Sequence, residues 1–358
     1  MKRILQCSVD DAARSVNGAA VRRITSFDAI GCGNDSVVVE LGYALSSEEL
    51  GPVELVENAI AAEHAGFRFA LVSDHFHPWL DVQGESPFVW STIGAISQAT
   101  ESLAIGTGVT CPMIRTHPAV IAHAAATSAV LMPGRFFLGV GTGENLNEHV
   151  LGDRWPSHAE RLEMLEEAIG LMRELWQGGL VTHRGRHYAV DRARLYTLPE
   201  EPPPVAIAAS GNNSAELAGR LGDALVSTAP DEELVDAFNQ AGGTGKPCYG
   251  QLTVCYAEDR DAAVRTAFEK WPNAGLDGEL GQELALPSHY RDACDLLSPD
   301  QVAEKVVCGP DPDEHREAIA KFEQAGFSRV YIHQVGRDQE AFFHFYEREI
   351  LPALQPVR

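Results

Sequence analysis

Lysine is scarce in this chain. Its 358 residues include only Lys2, Lys246, Lys270, Lys305 and Lys321, and the formal net charge is −23. Nucleic acids and anionic membranes are held by clustered positive charge, so both are poor partners for such a surface. An anionic ligand must instead be gripped locally, by backbone N–H groups or single cationic side chains. No apolar run reaches the ~20 residues needed to span a bilayer. None of the seven cysteines forms a CxxC pair or sits at zinc-finger spacing, which favours free thiols in a reducing, cytoplasmic setting. Neither Lys2-Arg3 nor Arg22-Arg23 adjoins an apolar segment of the roughly 7–15 residues that an export signal requires. Residues 1–36 read as a poorly specified N-terminal extension, either disordered or the product of a misplaced start. Internal repeats and low-complexity tracts are also missing.

What remains, over 37–358, is a regular alternation of apolar and amphipathic segments. Strands are expected at Val37–Tyr43, Phe69–Val72, Leu103–Gly106, Phe136–Val140, Val205–Ala208, Ala224–Ser227, Gly250–Cys255 and Val330–His333. Helical patterns fill 52–65, 118–131, 158–177, 212–221, 231–240, 311–325 and 338–350. Pro52 in the first turn and Gly66 just past the end frame the first of these helices. Eight strands alternating with helical segments in one chain indicate an α/β fold, a single (β/α)8 TIM barrel. A doubly wound sheet would show a glycine-rich fingerprint after its first strand, and Gly42-Tyr43-Ala44-Leu45 is not one. Two insertions interrupt the alternation: a short hairpin at about 180–198 and a helical segment at about 258–300.

The active site of such a barrel lies at the C-terminal ends of its strands, where polar residues collect in this sequence. After the second strand comes Ser73-Asp74-His75-Phe76-His77-Pro78-Trp79. After the fourth comes Gly141-Thr142-Gly143-Glu144-Asn145-Leu146-Asn147-Glu148. After the fifth, Ser210-Gly211-Asn212-Asn213 precedes a helix, a junction whose free N–H groups and dipole suit an anion or an ordinary cap. His75 suits general acid–base work because imidazole titrates near neutrality; a histidine merely bonded within the rim is the plainer alternative. Glu144 reads either as a second proton carrier or as a helix-terminal carboxylate. His75-x-His77 also fits a metal hydrolase, but that reading needs further ligands and only His333 offers itself. No metal is expected.

These residues carry a resemblance. From Val39 to Leu354 the chain resembles the luciferase-like (β/α)8 oxidoreductases, and within them the F420-dependent glucose-6-phosphate dehydrogenase group. The matching pieces are Leu41-Gly42-Tyr43, Ser73-Asp74-His75-Phe76 with Pro78-Trp79, Pro118-Ala119-Val120-Ile121-Ala122, and Phe137 to Glu144 with Leu146-Asn147-Glu148. Gly219-Arg220 with Gly222-Asp223 completes the set.

The resemblance implies an enzyme that transfers a hydride between the deazaflavin coenzyme F420 and a hydroxyl or carbonyl carbon of a small, sugar-like substrate. It implies catalytic roles for His75 (proton at the substrate), Glu144 (proton at the coenzyme) and Trp79 (wall of the reacting centre). Asp74, Gly108, Val109, Cys111, Asn147, Ala209, Ser210 and Gly211 would hold the cofactor, with a cis peptide at Gly108-Val109 behind the ring. Glu48, Thr228 and Lys305 would face the substrate. A homodimer is implied as well. An FMN-dependent monooxygenase and a barrel that binds without turnover are the alternatives. Asp231 stands where the group carries a lysine, which reverses a charge-assisted contact to a sugar phosphate.

Overall fold

The computed structural model describes residues 39–276, 278 and 280–354. The expected extension at 1–36, and the start of the strand expected from Val37, lie outside them. Eight parallel strands close into a barrel: Glu40–Leu45, Phe69–Val72, Ala104–Thr107, Phe136–Val140, Val205–Ala208, Ala224–Ser227, Cys248–Cys255 and Arg329–Gln334. Each pairs with the next in sequence, and the eighth closes the ring between the first and the seventh.

The register explains two glycines in the strands. Gly42 is opposite Phe69, and Gly106 is opposite Phe137. A Cβ at either position would fall 2.3 Å or 2.2 Å from the facing aromatic ring. Both glycines thus make room for the phenylalanines, which fill the barrel interior with Leu71, Val226, Tyr249 and Tyr331. The interior is therefore a packed core, and open space begins above it.

The outer face of the barrel is covered by helices. Pro52–Ala65 buries Leu55, Ala59 and Ala62, and ends at Gly66, whose φ of 104° is the left-handed cap that glycine allows. Pro118–Leu131, His158–Leu175, Asn212–Leu221, Glu232–Phe238, Pro312–Gln324 and Gln339–Phe345 continue the ring. Val89–Ala99 adds a helix that the sequence pattern had not suggested. Its Val, Trp, Thr and Ile residues are indifferent helix formers, yet Val89, Thr92, Ile93 and Ile96 are buried at helical spacing.

In the first inserted region, Val181–Arg184 pairs antiparallel with Ala189–Ala193. In the second, Arg260–Lys270, Pro287–Cys294 and Pro299–Ala303 are helical. This second region folds back over the C-terminal end of the barrel. Tyr290 stacks edge-on against Trp79 at 5.1 Å, Gln83 donates to the Lys270 carbonyl at 3.0 Å, and Asn145 donates to the Glu283 carbonyl at 3.0 Å. Among the described residues the cysteines are free thiols, all buried.

Candidate active site

A cavity of about 560 Å³ opens at the C-terminal ends of the strands, within the range of cofactor and substrate sites. Its wall contains Glu48, Asp74, His75, Trp79, Gly108, Val109, Cys111, Glu144, Asn147, Ala209, Ser210, Thr228 and Lys305. Gly211 is not on the wall; it stands just behind, as the N-cap of the helix Asn212–Leu221. Asp231 is also off the wall: its carboxylate caps the next helix by accepting the Leu234 N–H at 3.2 Å. His77 turns away and meets the Leu146 carbonyl at 3.1 Å. Among the described residues no three His, Cys, Asp or Glu side chains are arranged to hold a metal.

His75 is the centre of the arrangement. Its Nδ1 lies 3.1 Å from the His77 carbonyl oxygen and 3.1 Å from the Asn147 amide nitrogen, which leaves Nε2 facing two carboxylates. Glu48 Oε1 lies at 3.3 Å from Nε2 and Glu144 Oε2 at 3.6 Å. Asn147 anchors the group. Its amide oxygen accepts the Phe76 and His77 N–H groups at 2.8 and 3.2 Å, and its nitrogen donates to Glu144 at 3.2 Å. The Trp79 ring stands 5.1 Å from the imidazole.

Burial alone would favour neutral groups here, and the pairings redirect it. Burial would lower His75, but the facing Glu48 and Glu144 carboxylates raise it above its ordinary value. Burial would raise Glu48, but His75 and the Ser73 and Ser46 hydroxyls hold it below the usual range. Those hydroxyls donate at 2.8 and 2.9 Å. Glu144 is pushed up to about 7, by burial first and then by Glu48, against the opposing pull of His75. Two carboxylates around one imidazole cannot all behave ordinarily, and environments that separate pKa values in this way mark acid–base sites.

A second polar network includes Asp74 and Glu148 of the same cavity wall. Asp74 accepts from Arg115 at 2.9 Å and from the Thr110 hydroxyl at 2.5 Å. Glu148 accepts the Arg115 N–H at 2.8 Å and lies 3.5 Å from the guanidinium. Arg115 had no signal in the sequence, because it follows the third strand at no motif spacing. Burial would lower Arg115, yet Asp74 and Glu148 raise it.

Between the polar ends the wall is small. The Gly108–Val109 peptide is cis, and Gly141, Ala208, Ala209 and Ser210 continue the surface. Gly143 has φ 73°, and a Cβ there would fall 2.6 Å from Cys111 Sγ. Such a floor admits a flat ring against backbone.

Comparison with known proteins identifies relatives of this chain. Residues 37–329 match the model of the luciferase-like monooxygenase family. The F420-dependent glucose-6-phosphate dehydrogenase of Microbacterium testaceum is 38% identical over 333 residues, 89% of this chain and 98% of that one. The enzyme of the same name from Mycolicibacterium smegmatis is 37% identical over 334 residues, 89% of this chain and 99% of its own. A solved F420-dependent secondary alcohol dehydrogenase, in complex with an F420-acetone adduct, superposes with a TM-score of 0.83 at 30% identity. That match covers 88% of this chain and 99% of the other. An FMN-bound type II Baeyer-Villiger monooxygenase shares the fold alone, with a TM-score of 0.67 at 19% identity. On its sequence, its closed barrel and these relatives, this chain belongs to the luciferase-like monooxygenase family.

Proposed function

We propose that this protein is an F420-dependent oxidoreductase that moves a hydride between the deazaflavin and a hydroxyl or carbonyl carbon of a small, sugar-like substrate. The observation that carries the reading is the Glu48–His75–Glu144 cluster at one side of a cavity whose remaining wall is small and backbone-rich. The wall fits the coenzyme. Gly108, Val109, Cys111 and Ala209 form the flat surface for its ring. Ser210 and Gly211, at the N-terminus of the ten-residue helix Asn212–Leu221, suit an anionic tail without needing lysines. Arg115 and Thr110 fix Asp74 beside the ring site.

When bound, the coenzyme supplies a ring carbon that accepts or returns hydride. The chain supplies the protons and the geometry. With Nδ1 held by the His77 carbonyl, His75 presents Nε2 to the substrate oxygen. In the imidazolium form it donates to a carbonyl undergoing reduction; in the neutral form it accepts from a hydroxyl undergoing oxidation. Ionised Glu48 stabilises the imidazolium. Glu144, pushed to about 7, has both protonation states available near neutrality and exchanges its proton on the coenzyme side. Trp79, backed by Tyr290, covers His75 and keeps bulk water from the reacting pair. Thr228 and Lys305 occupy the substrate end.

We place the enzyme in the cytoplasm as a homodimer. The buried free thiols support the first part and the family resemblance the second. A light-scattering mass of a single chain would refute the dimer. The function is tested by titrating the purified protein with F420, followed by fluorescence, and with FMN, followed by absorbance. Saturable micromolar binding of F420 is expected. Tight FMN with no F420 binding would overturn the reading.

A further inference from the structure

Glu49, next to Glu48 at the end of the first strand, belongs to a different pair. Its Oε1 accepts the Gly336 N–H at 3.1 Å, and its Oε2 lies 3.6 Å from His333 Nε2. Neither that oxygen nor either nitrogen of His333 has a hydrogen-bond partner, although His333 is only 2% exposed. The Trp271 ring packs edge-on against the imidazole at 4.3 Å. His333 borders the same cavity as His75, and so does Thr253, its register partner on the seventh strand. Each buried polar atom left without a partner costs about 1–3 kcal/mol. Glu49 Oε2 and His333 Nε2 face each other, and His333 lines the cavity, so its Nδ1 is the position that a ligand can complete.

We propose that the Glu49–His333 pair binds a second hydroxyl of the substrate, away from the reacting carbon, and that it selects a polyhydroxylated, unphosphorylated compound. This rests on the function proposed above and names its substrate class. The first strand separates His75, after the second strand, from His333, on the eighth. With strands spaced about 4.8 Å apart, the two histidines arise from backbones roughly 10 Å apart. A substrate touching both carries at least two oxygen functions.

The chemistry of the pair favours a hydroxyl. Glu49 is the positioning residue: its carboxylate faces Nε2 of His333 at 3.6 Å and favours the proton there, which leaves Nδ1 to accept an O–H. A phosphate ester offers acceptor oxygens only. It would also bring negative charge to a wall that already holds Glu48, Asp74, Glu144 and Glu148, with Lys305 as the one lysine and Arg115 committed to Asp74 and Glu148.

The test uses wild type, His333→Phe and Glu49→Gln, each checked by thermal melting and by F420 fluorescence titration. Calorimetry of the F420-loaded proteins measures glucitol, glucose and glucose 6-phosphate. Turnover is followed with glucitol, glucose and 2-propanol. Wild type is expected to bind glucitol or glucose more tightly than glucose 6-phosphate. Each variant is expected to weaken polyol binding about tenfold, with the loss falling on KM more than on kcat. The ratio of polyol to 2-propanol kcat/KM falls correspondingly. Tighter binding of the phosphate, no polyol binding by wild type, or unchanged polyol affinity in both variants would overturn the proposal. Should F420 fail to bind, the proposed function falls. Glucitol titration of the coenzyme-free proteins then judges the pair by itself, through loss or retention of affinity on His333→Phe. If His333→Phe does not fold, Glu49→Gln carries the same comparison.

Discussion

Replacing Glu144 with glutamine removes a proton and little else. The glutamine carbonyl can still accept the Asn147 amide that Glu144 accepts at 3.2 Å. The side chain is 27% exposed to the cavity, so no buried partner is orphaned, and the melting temperature should stay within the effect of about 0.5 kcal/mol. If Glu144 passes a proton to or from the coenzyme, kcat should fall about 10²–10⁴-fold, or roughly 3–5 kcal/mol of barrier.

The pH profile separates this role from simple packing. Oxidation requires neutral His75 and protonated Glu144. His75 is raised above its ordinary value and Glu144 lies near 7. The wild-type profile of kcat/KM for oxidation should therefore be a narrow bell near neutrality, its limbs belonging to the coupled pair. In the glutamine variant the alkaline limb should vanish. The acid limb should shift to lower pH, because His75 loses a carboxylate 3.6 Å away. Steady-state absorbance of F420 across pH 5.5–9 reads both effects. A variant that keeps its rate within about threefold of wild type, with the alkaline limb still present, would refute the role given to Glu144.

Three further outcomes follow from the same contacts. His75→Asn should lower kcat about 10²–10⁴-fold while F420 fluorescence titration shows unchanged affinity, since no coenzyme contact is removed. Asp74→Asn leaves the buried Arg115 with Glu148 alone. It should cost about 3–5 kcal/mol, read as an earlier denaturation midpoint, and an unchanged midpoint would contradict the pairing. Glu63 accepts the backbone N–H groups of Glu101, Ser102 and Leu103. Burial would raise its pKa, but these donors lower it below 4.5. Its contribution is therefore complete above that value and lost as pH falls through the folded-state pKa. Glu63→Gln should destabilise by about 1–2 kcal/mol at pH 7, with the gap to wild type closing in acid; a pH-independent gap would contradict the assignment.

The barrel was legible because its signals are local. Phe69–Val72, Phe136–Val140 and Ala224–Ser227 are apolar runs bounded by polar residues, and the structure begins and ends them where the pattern does. The helix Val89–Ala99 escaped because β-branched and aromatic residues mask helical spacing, although the buried positions were there to be read. In the site, the sequence brought out residues that follow strands in short polar runs, such as His75 and Glu144. It did not reveal Arg115, whose role depends on Asp74 and Glu148 arriving from two other loops. Nor did it reveal the pairing of Glu49 with His333, which depends on the eighth strand closing beside the first. Asp231, which by resemblance stands where the group carries a lysine, caps a helix and lies off the cavity wall.

Hydride transfer to the deazaflavin is the step proposed for the His75–Glu144 site. Its most direct test is anaerobic turnover of F420 with a polyol deuterated at the carbinol carbon, followed by mass spectrometry of the reduced coenzyme. The label is expected in the coenzyme with each turnover, in wild type and, far more slowly, in His75→Asn. Product formation that leaves the coenzyme unlabelled would contradict it.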